Sequence, residues 1–160
     1  MANIITVNSE CLNSLDISAA QTVIEPLEKD AVAACAAEIQ FKIDYPREPN
    51  DPREISEIPE IRMWFIRLDS RYPWLPVCLD AKAGELARYT AMLVPHQFHR
   101  TEGIQYNPEA LEIFLMNKIF AIAQWLKQLG LPSKSKLMSM SNLLGYDLDE
   151  SLFDLLDRET

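Results

Sequence analysis

Residues 107–132, NPEALEIFLMNKIFAIAQWLKQLGLP, carry the strongest helix signal in the chain. Asn107 can cap the first free backbone amides, and Pro108 suits the first position of a helix. Gly130 ends the pattern, because glycine accepts the left-handed cap conformation and the proline that soon follows cannot continue a helix. A helix over about residues 108–129 is therefore predicted.

The predicted helix is apolar on two faces when its residues are placed at 100° intervals. Its main face carries Leu111, Phe114, Leu115, Ile119, Ile122, Trp125, Leu126 and Leu129. Lys118 falls within that face, and because an unpaired buried charge is costly, we expect it to form an ion pair. Ile113, Met116 and Phe120 lie on the opposite face and need a cover, either the C-terminal helices or a partner protein.

Two segments are predicted to be strands of a small sheet. Residues 37–45 alternate strictly between apolar and polar side chains, which is typical of a strand with one buried face. Residues 61–68 place apolar side chains on both faces, as in a central strand. The other predicted elements are a short strand at residues 4–7 and helices at 18–36 with a break at Pro26, at 81–94, at 135–144 and from Asp149 onward.

These elements predict a single domain over residues 1–160 with an α+β fold. The expected architecture is a small, mainly antiparallel sheet in which residues 37–45 and 61–68 are adjacent. We expect the long helix at about 108–129 to cover this sheet and two further C-terminal helices to pack outside it. A chain of 160 residues is long enough to bury one hydrophobic core.

The composition argues against several classes of function. The chain has 15 Lys and Arg against 24 Asp and Glu, a net charge of -9, which repels nucleic-acid phosphates and anionic membranes. Its four glycines, at positions 84, 103, 130 and 145, are too far apart for a Walker loop or a dinucleotide-binding turn. Polar residues interrupt the most apolar stretch, so no membrane insertion is expected.

The cysteines and the N-terminal residues bear on the cellular compartment. Cys11, Cys35 and Cys78 are an odd number at wide spacing, which predicts reduced thiols and not a disulfide framework. The first residues show neither a signal peptide nor a transit leader. Together these features predict a cytosolic protein.

Two histidines raise the alternative of an enzyme. His96 and His99 lie three positions apart, and with Cys78 or Asp80 they could bind a metal ion. Cys78 could instead be a nucleophile with His96 as its base. Neither arrangement matches a recognisable motif, so we predict no catalytic residue, no metal site and no cofactor. A small metal-dependent or thiol enzyme remains the first alternative.

An aromatic run follows the strand predicted at residues 61–68. Arg71, Tyr72 and Trp74 have the composition that is enriched in interface hot spots. Because the run falls in a predicted turn, we expect Arg71 and Tyr72 to be exposed, whereas Trp74 has equal reason to be exposed or buried.

The middle of the chain contains four segments that together resemble a known family. They are PWLP at residues 73–76, GELARY at 84–89, MLVPHQF at 92–98 and GIQYNPEALE at 103–112. The chain resembles the chlororespiratory reduction 6 family of cyanobacteria and chloroplasts. The resemblance implies a soluble assembly factor for the peripheral arm of the photosynthetic NAD(P)H dehydrogenase-like complex. Such a factor helps to mature or insert the ferredoxin-like I subunit, which carries two 4Fe–4S clusters, and the missing leader favours a cyanobacterial member in the cytosol.

The resulting hypothesis is a non-catalytic, chaperone-like assembly factor whose partner is the ferredoxin-like I subunit. The residues expected to bind that partner are Arg71, Tyr72, Trp74, Arg88, His96, Gln97, Phe98, Ile113 and Phe120. An iron–sulfur cluster needs about four thiolates, so a chain with three cysteines is expected to bind the polypeptide and not to build the cluster. A structural homo-oligomer that pairs the Ile113 and Phe120 faces of two copies is the second alternative.

Overall fold

The computed structural model describes residues 3–158, which form two small sheets and eight α-helices. The strands are β1 (Asn3–Asn8), β2 (Ile39–Asp44), β3 (His96–His99) and β4 (Gly103–Tyr106). The helices are α1 (Ser9–Ser14), α2 (Ser18–Glu28), α3 (Ala31–Cys35), α4 (Pro59–Arg71), α5 (Glu85–Leu93), α6 (Pro108–Gln128), α7 (Lys134–Leu143) and α8 (Glu150–Arg158). Short 3-10 turns span Ile55–Glu57 and Leu75–Cys78. The predicted α+β class is confirmed.

The first sheet consists of β1 and β2, which pair in parallel with Asn3 opposite Ile39. The predicted strands at residues 4–7 and 37–45 are thus confirmed. A parallel pair requires a long crossover connection, and α1, α2 and α3 supply it. The expected antiparallel pairing is therefore wrong for this sheet.

Residues 61–68 are helical, so their prediction as a central strand is wrong. They form the middle of α4, which has a proline at its first position. The buried residues of α4 are Ile61, Trp64, Phe65 and Leu68. Their spacing of i, i+3, i+4 and i+7 defines one face of a helix. Met63 and Ile66, which a two-sided strand would bury, are exposed.

The ring of Phe41 on β2 shows which helices cover the first sheet. Its centroid lies 6.2 Å from Trp64 and 5.0 Å from Phe65, both on α4, and 6.3 Å from Tyr89 on α5. On the other strand, α2 packs against β1, whereas α6 packs against α7. The expected arrangement in which the long helix covers the sheet is not confirmed.

The long helix itself is confirmed as α6, and the Asn107 side chain accepts a hydrogen bond from the Ala110 N–H at its start. Lys118 on its buried face forms the predicted ion pair, with Asp69 of α4. The Tyr89 hydroxyl of α5 donates a 2.8 Å hydrogen bond to the same carboxylate. Asp69 therefore joins α4, α5 and α6.

The second sheet is the antiparallel hairpin of β3 and β4, in which His96 lies opposite Tyr106. Gly103 opens β4 with φ of 74°, a left-handed conformation that favours glycine. The sequence predictions above contain no strand at this place. The hairpin matters for the site below because it forms one of its walls.

The C-terminal helices α7 and α8 confirm the two helices predicted to finish the chain. In the described part of the chain, residues 3–158, no helix combines the length and the hydropathy that crossing a membrane requires.

Candidate functional site

A groove of about 430 Å³ lies between β2, α5 and the hairpin of β3 and β4. Its walls are mostly apolar and include Phe41, Ile43, Phe65, Met92, Phe98 and Ile104. The volume is at the small end of the range of roughly 300–1,000 Å³ that is usual for ligand pockets. The groove therefore has room for a few side chains and not for a whole helix.

A buried carboxylate lies in the groove at the start of α5. Gly84, with φ of 77°, lets the chain turn into the helix, so that Glu85 is its first residue. The Glu85 side chain is 4% exposed and accepts a 2.9 Å hydrogen bond from Arg88 Nη1. Burial raises the pKa of Glu85, while Arg88 and the Phe41 amide act against that rise.

Arg88 and Phe98 form the rim of the groove. The Arg88 side chain is 65% exposed although its guanidinium is bonded to Glu85. Phe98 on β3 is 44% exposed. An exposed aromatic ring and an arginine beside an apolar depression are the usual components of an interface hot spot.

Behind the rim, a buried hydroxyl contacts an imidazole. Ser56 Oγ lies 3.1 Å from His96 Nε2, and His96 Nδ1 lies 2.9 Å from the Val94 carbonyl oxygen. Because the carbonyl can only accept, Nδ1 donates to it, and Nε2 shares the other hydrogen bond with the Ser56 hydroxyl. This chain of hydrogen bonds ties the turn around Ser56 to the first residue of the hairpin.

The structure brings three of the nine predicted partner-binding residues together at the groove. Arg88 and Phe98 line it, and the His96 ring packs edge-on against Phe98, with centroids 5.0 Å apart. Gln97 is exposed but lies on the other face of β3, because successive side chains of a strand alternate.

The predicted aromatic run lies mostly in the core. Tyr72 is 3% exposed, and its hydroxyl donates a 3.0 Å hydrogen bond to Glu25, so the expectation that Tyr72 is exposed is wrong. Trp74 is buried and stacks on Trp125 with centroids 4.1 Å apart and rings 2° from parallel. Arg71 is exposed as expected, and lies 3.8 Å from Glu25. Of the run, only Arg71 is placed to meet a partner.

The second apolar face of α6 is open. Ile113 is 71% exposed and Phe120 is 47% exposed, whereas Met116 is partly buried. The helices α7 and α8 thus leave this face exposed, although they were one of the two covers that the sequence suggested. This face lies apart from the groove lining and remains available for contact with another protein.

The residues of the enzyme alternative do not converge. Within residues 3–158, no three His, Cys, Asp or Glu side chains are grouped so that they could hold a metal ion. Asp80 instead accepts a hydrogen bond from the Gln40 side chain, and His99 contacts Thr101. Cys78 is buried, and burial raises the pKa of its thiol to about 12. A thiol that stays protonated at neutral pH is a poor nucleophile.

Sequence reasoning missed Phe41, Ile43 and Glu85 as parts of the site. Phe41 and Ile43 fall within the strand predicted at residues 37–45, and Glu85 falls within the helix predicted at residues 81–94. The hairpin had a usable signal, since alternating apolar and polar residues flank the turn before Gly103. That signal would have predicted the hairpin that carries Phe98.

Comparison with known proteins identifies the family. The family model described as chlororespiratory reduction 6 matches residues 7–155, a range that includes every residue of the groove. No solved structure matches the chain significantly. Because the match spans most of the 160 residues, the chain belongs to the chlororespiratory reduction 6 family.

Proposed function

We propose that this protein is a non-catalytic assembly factor for the peripheral arm of the photosynthetic NAD(P)H dehydrogenase-like complex. Membership of the family implies involvement in the assembly of that complex. The proposal goes further in naming the partner, the ferredoxin-like I subunit, and in placing its binding site at the groove.

The observation that carries the proposal is the groove with Phe98 and Arg88 on its rim. An apolar depression of this size can take the side chains of a partner segment, and the exposed ring and guanidinium can anchor it. The net charge of -9 adds a long-range attraction toward a partner with a basic surface.

The cysteine content favours a role in handling the polypeptide. A 4Fe–4S cluster needs about four thiolate ligands, and the whole chain contains three cysteines. Cys78 is also buried as a protonated thiol. This chemistry suits a protein that holds the I subunit while the clusters come from elsewhere.

The test is binding of the purified ferredoxin-like I subunit to the Phe98→Asp variant, measured by biolayer interferometry. We expect binding to weaken by about tenfold or more, because a carboxylate replaces an anchoring ring. Ile66→Asp is the matched control, since Ile66 is 45% exposed on α4 and lies outside the groove. The control should bind like the wild type.

Two results would count against the proposal. If the wild-type protein does not bind the I subunit, the named partner is wrong. If Phe98→Asp and Ile66→Asp bind equally well, the partner is right and the groove is the wrong surface. Both substitutions are at exposed positions, so their effect on folding should be small and can be checked by thermal unfolding.

A further inference from the structure

β2 has one edge paired with β1 and one edge that faces away from it. The Asp80 N–H donates a 3.0 Å hydrogen bond to the Ile39 carbonyl, and Leu79 bridges Ile39 in parallel. The backbone groups of Ile39 therefore point away from β1. Because these directions alternate with a period of two residues, the backbone groups of Phe41 and Ile43 point to the same outer edge.

The backbone groups on the outer edge of β2 are paired at Ile39, at the start of the strand, and within residues 3–158 they have no backbone partner further along it. The segment that pairs with Ile39 diverges from the edge of β2 after Asp80 and turns into α5. The Phe41 amide acts to lower the pKa of the Glu85 carboxyl, so that N–H faces the carboxylate. Within the described residues, no strand and no backbone hydrogen bond from outside the sheet reaches the Phe41 carbonyl or either backbone group of Ile43.

This open edge borders the groove, since the side chains of Phe41 and Ile43 line it. Proteins usually protect an exposed strand edge, because its free N–H and C=O groups pair readily with another chain. Addition of an extended peptide to such an edge is a common mode of recognition, in which the main chain gives affinity and pockets for alternate side chains give specificity. Here an open edge and a pocket lie side by side.

Resting on the proposed function, we propose that an extended segment of the partner polypeptide adds to the outer edge of β2 beside Ile43 and places an apolar side chain in the groove. The charges favour a neutral or basic segment. Glu54 and Glu85 both line the groove, the one arginine there is already bonded to Glu85, and the whole chain carries -9. A second copy of this chain would bring a second Glu54 and the same net charge to the edge, so a partner with a basic segment is the better occupant.

The first test compares two substitutions at Ile43, with the purified ferredoxin-like I subunit as the probe. Ile43→Pro removes the N–H on the outer edge, and the ladder to β1, which uses the alternate residues, keeps its hydrogen bonds. Ile43→Ala is the control, because it trims the side chain and keeps the N–H. We expect Ile43→Pro to bind about tenfold more weakly than Ile43→Ala. Equal binding of the two variants would overturn the proposal.

The second test needs no substitution. In the wild-type protein, the Ile43 amide should exchange with deuterium rapidly, whereas the Lys42 amide, in the ladder to β1, should be protected. Adding the I subunit should slow exchange at Ile43 at least tenfold. Exchange at Ile43 that stays fast while the subunit is bound would refute edge addition.

The outcomes separate this inference from the function on which it rests. A wild-type protein that fails to bind the I subunit refutes the proposed function and the edge proposal with it. Binding that Phe98→Asp weakens and Ile43→Pro does not refutes only the edge proposal. Protection of Ile43 that rises with protein concentration, in the absence of the subunit, would identify a second copy as the occupant and overturn the choice of partner.

Discussion

Lys118→Met should strongly destabilise the protein, because it breaks a buried ion pair that joins three helices. The Lys118 side chain is 3% exposed, and its ammonium pairs with Asp69, whose side chain is 18% exposed. Methionine has a similar length and apolar character, so the packing of the stem is largely kept. The main effect of the substitution is the loss of the positive charge. The Asp69 carboxylate then keeps the Tyr89 hydroxyl as its side-chain partner and loses the cation beside it.

The magnitude follows from the burial of the two partners. Removing one member of a buried pair costs about 3–5 kcal/mol, because an uncompensated charge remains. Since Asp69 retains some contact with water, we expect a value near the lower limit, about 3 kcal/mol. For a chain of this size, that loss corresponds to a fall in Tm of about 6–12 °C.

The assay is urea unfolding followed by tryptophan fluorescence, with extrapolation of the free energy to water. A second variant, Lys118→Met with Asp69→Asn, removes both charges and keeps an acceptor for the Tyr89 hydroxyl. We expect the double variant to recover about half of the loss, since a neutral amide is less costly to bury than a carboxylate. A loss below about 1 kcal/mol in the single variant, or a double variant less stable than the single one, would refute the reasoning.

Four further predictions concern the core, a thiol and the exposed face of α6. Trp74→Ala should lower the free energy of unfolding by about 3–5 kcal/mol in the same urea assay, because it empties the stack on Trp125; a loss below 1 kcal/mol would contradict the stack. Native protein should leave the Cys78 thiol unmodified by a disulfide reagent at pH 8, because that thiol is 2% exposed with its pKa raised to about 12; modification of all three cysteines without unfolding would contradict this. Burial raises this pKa above the value of 9.0 of a free thiol, so the protonated Cys78 thiol contributes its whole share of the free energy of unfolding below pH 9. That share is lost as the pH rises from about 9 to 12. Cys78→Ala should therefore make the free energy of unfolding depend less steeply on pH in this range. Ile113→Asp should change the free energy of unfolding by less than about 0.5 kcal/mol, and an oligomer that dissociates in this variant by light scattering would favour the structural homo-oligomer.

The sequence was sufficient where an element carries its own boundaries. α6 has a capping asparagine, a proline at its first position and a glycine beyond its end, so its limits could be predicted within two residues. The sequence of residues 61–68 does not distinguish a two-sided strand from a helix, because both account for the same apolar residues. The exposure of the side chains in the structure distinguishes the two. Met63 and Ile66 face solvent, and the remaining apolar residues recur with the period of a helix.

The site was harder to predict because its parts come from distant positions. Arg88 and Phe98 were expected to bind a partner, and the groove contains both. Tyr72 and Trp74 had equal claims by composition, yet both are buried. Aromatic residues fill cores and interfaces alike, so composition cannot separate the two cases. Only the packing of α4, α5 and the hairpin shows which rings remain at the surface.

A two-stranded sheet is weak by itself, so the stability of β2 must come from elsewhere. The Phe41 side chain supplies it, since it packs against Trp64, Phe65 and Tyr89. The side chains of β2 thus hold the strand against α4 and α5, while the backbone at Ile43 on its outer edge is not needed for folding. Stability and recognition use different groups of one strand. For that reason Ile43→Pro should leave Tm within a few degrees of that of Ile43→Ala, which trims the same partly buried side chain. A much lower Tm for Ile43→Pro than for Ile43→Ala would show that the outer edge is part of the folding core.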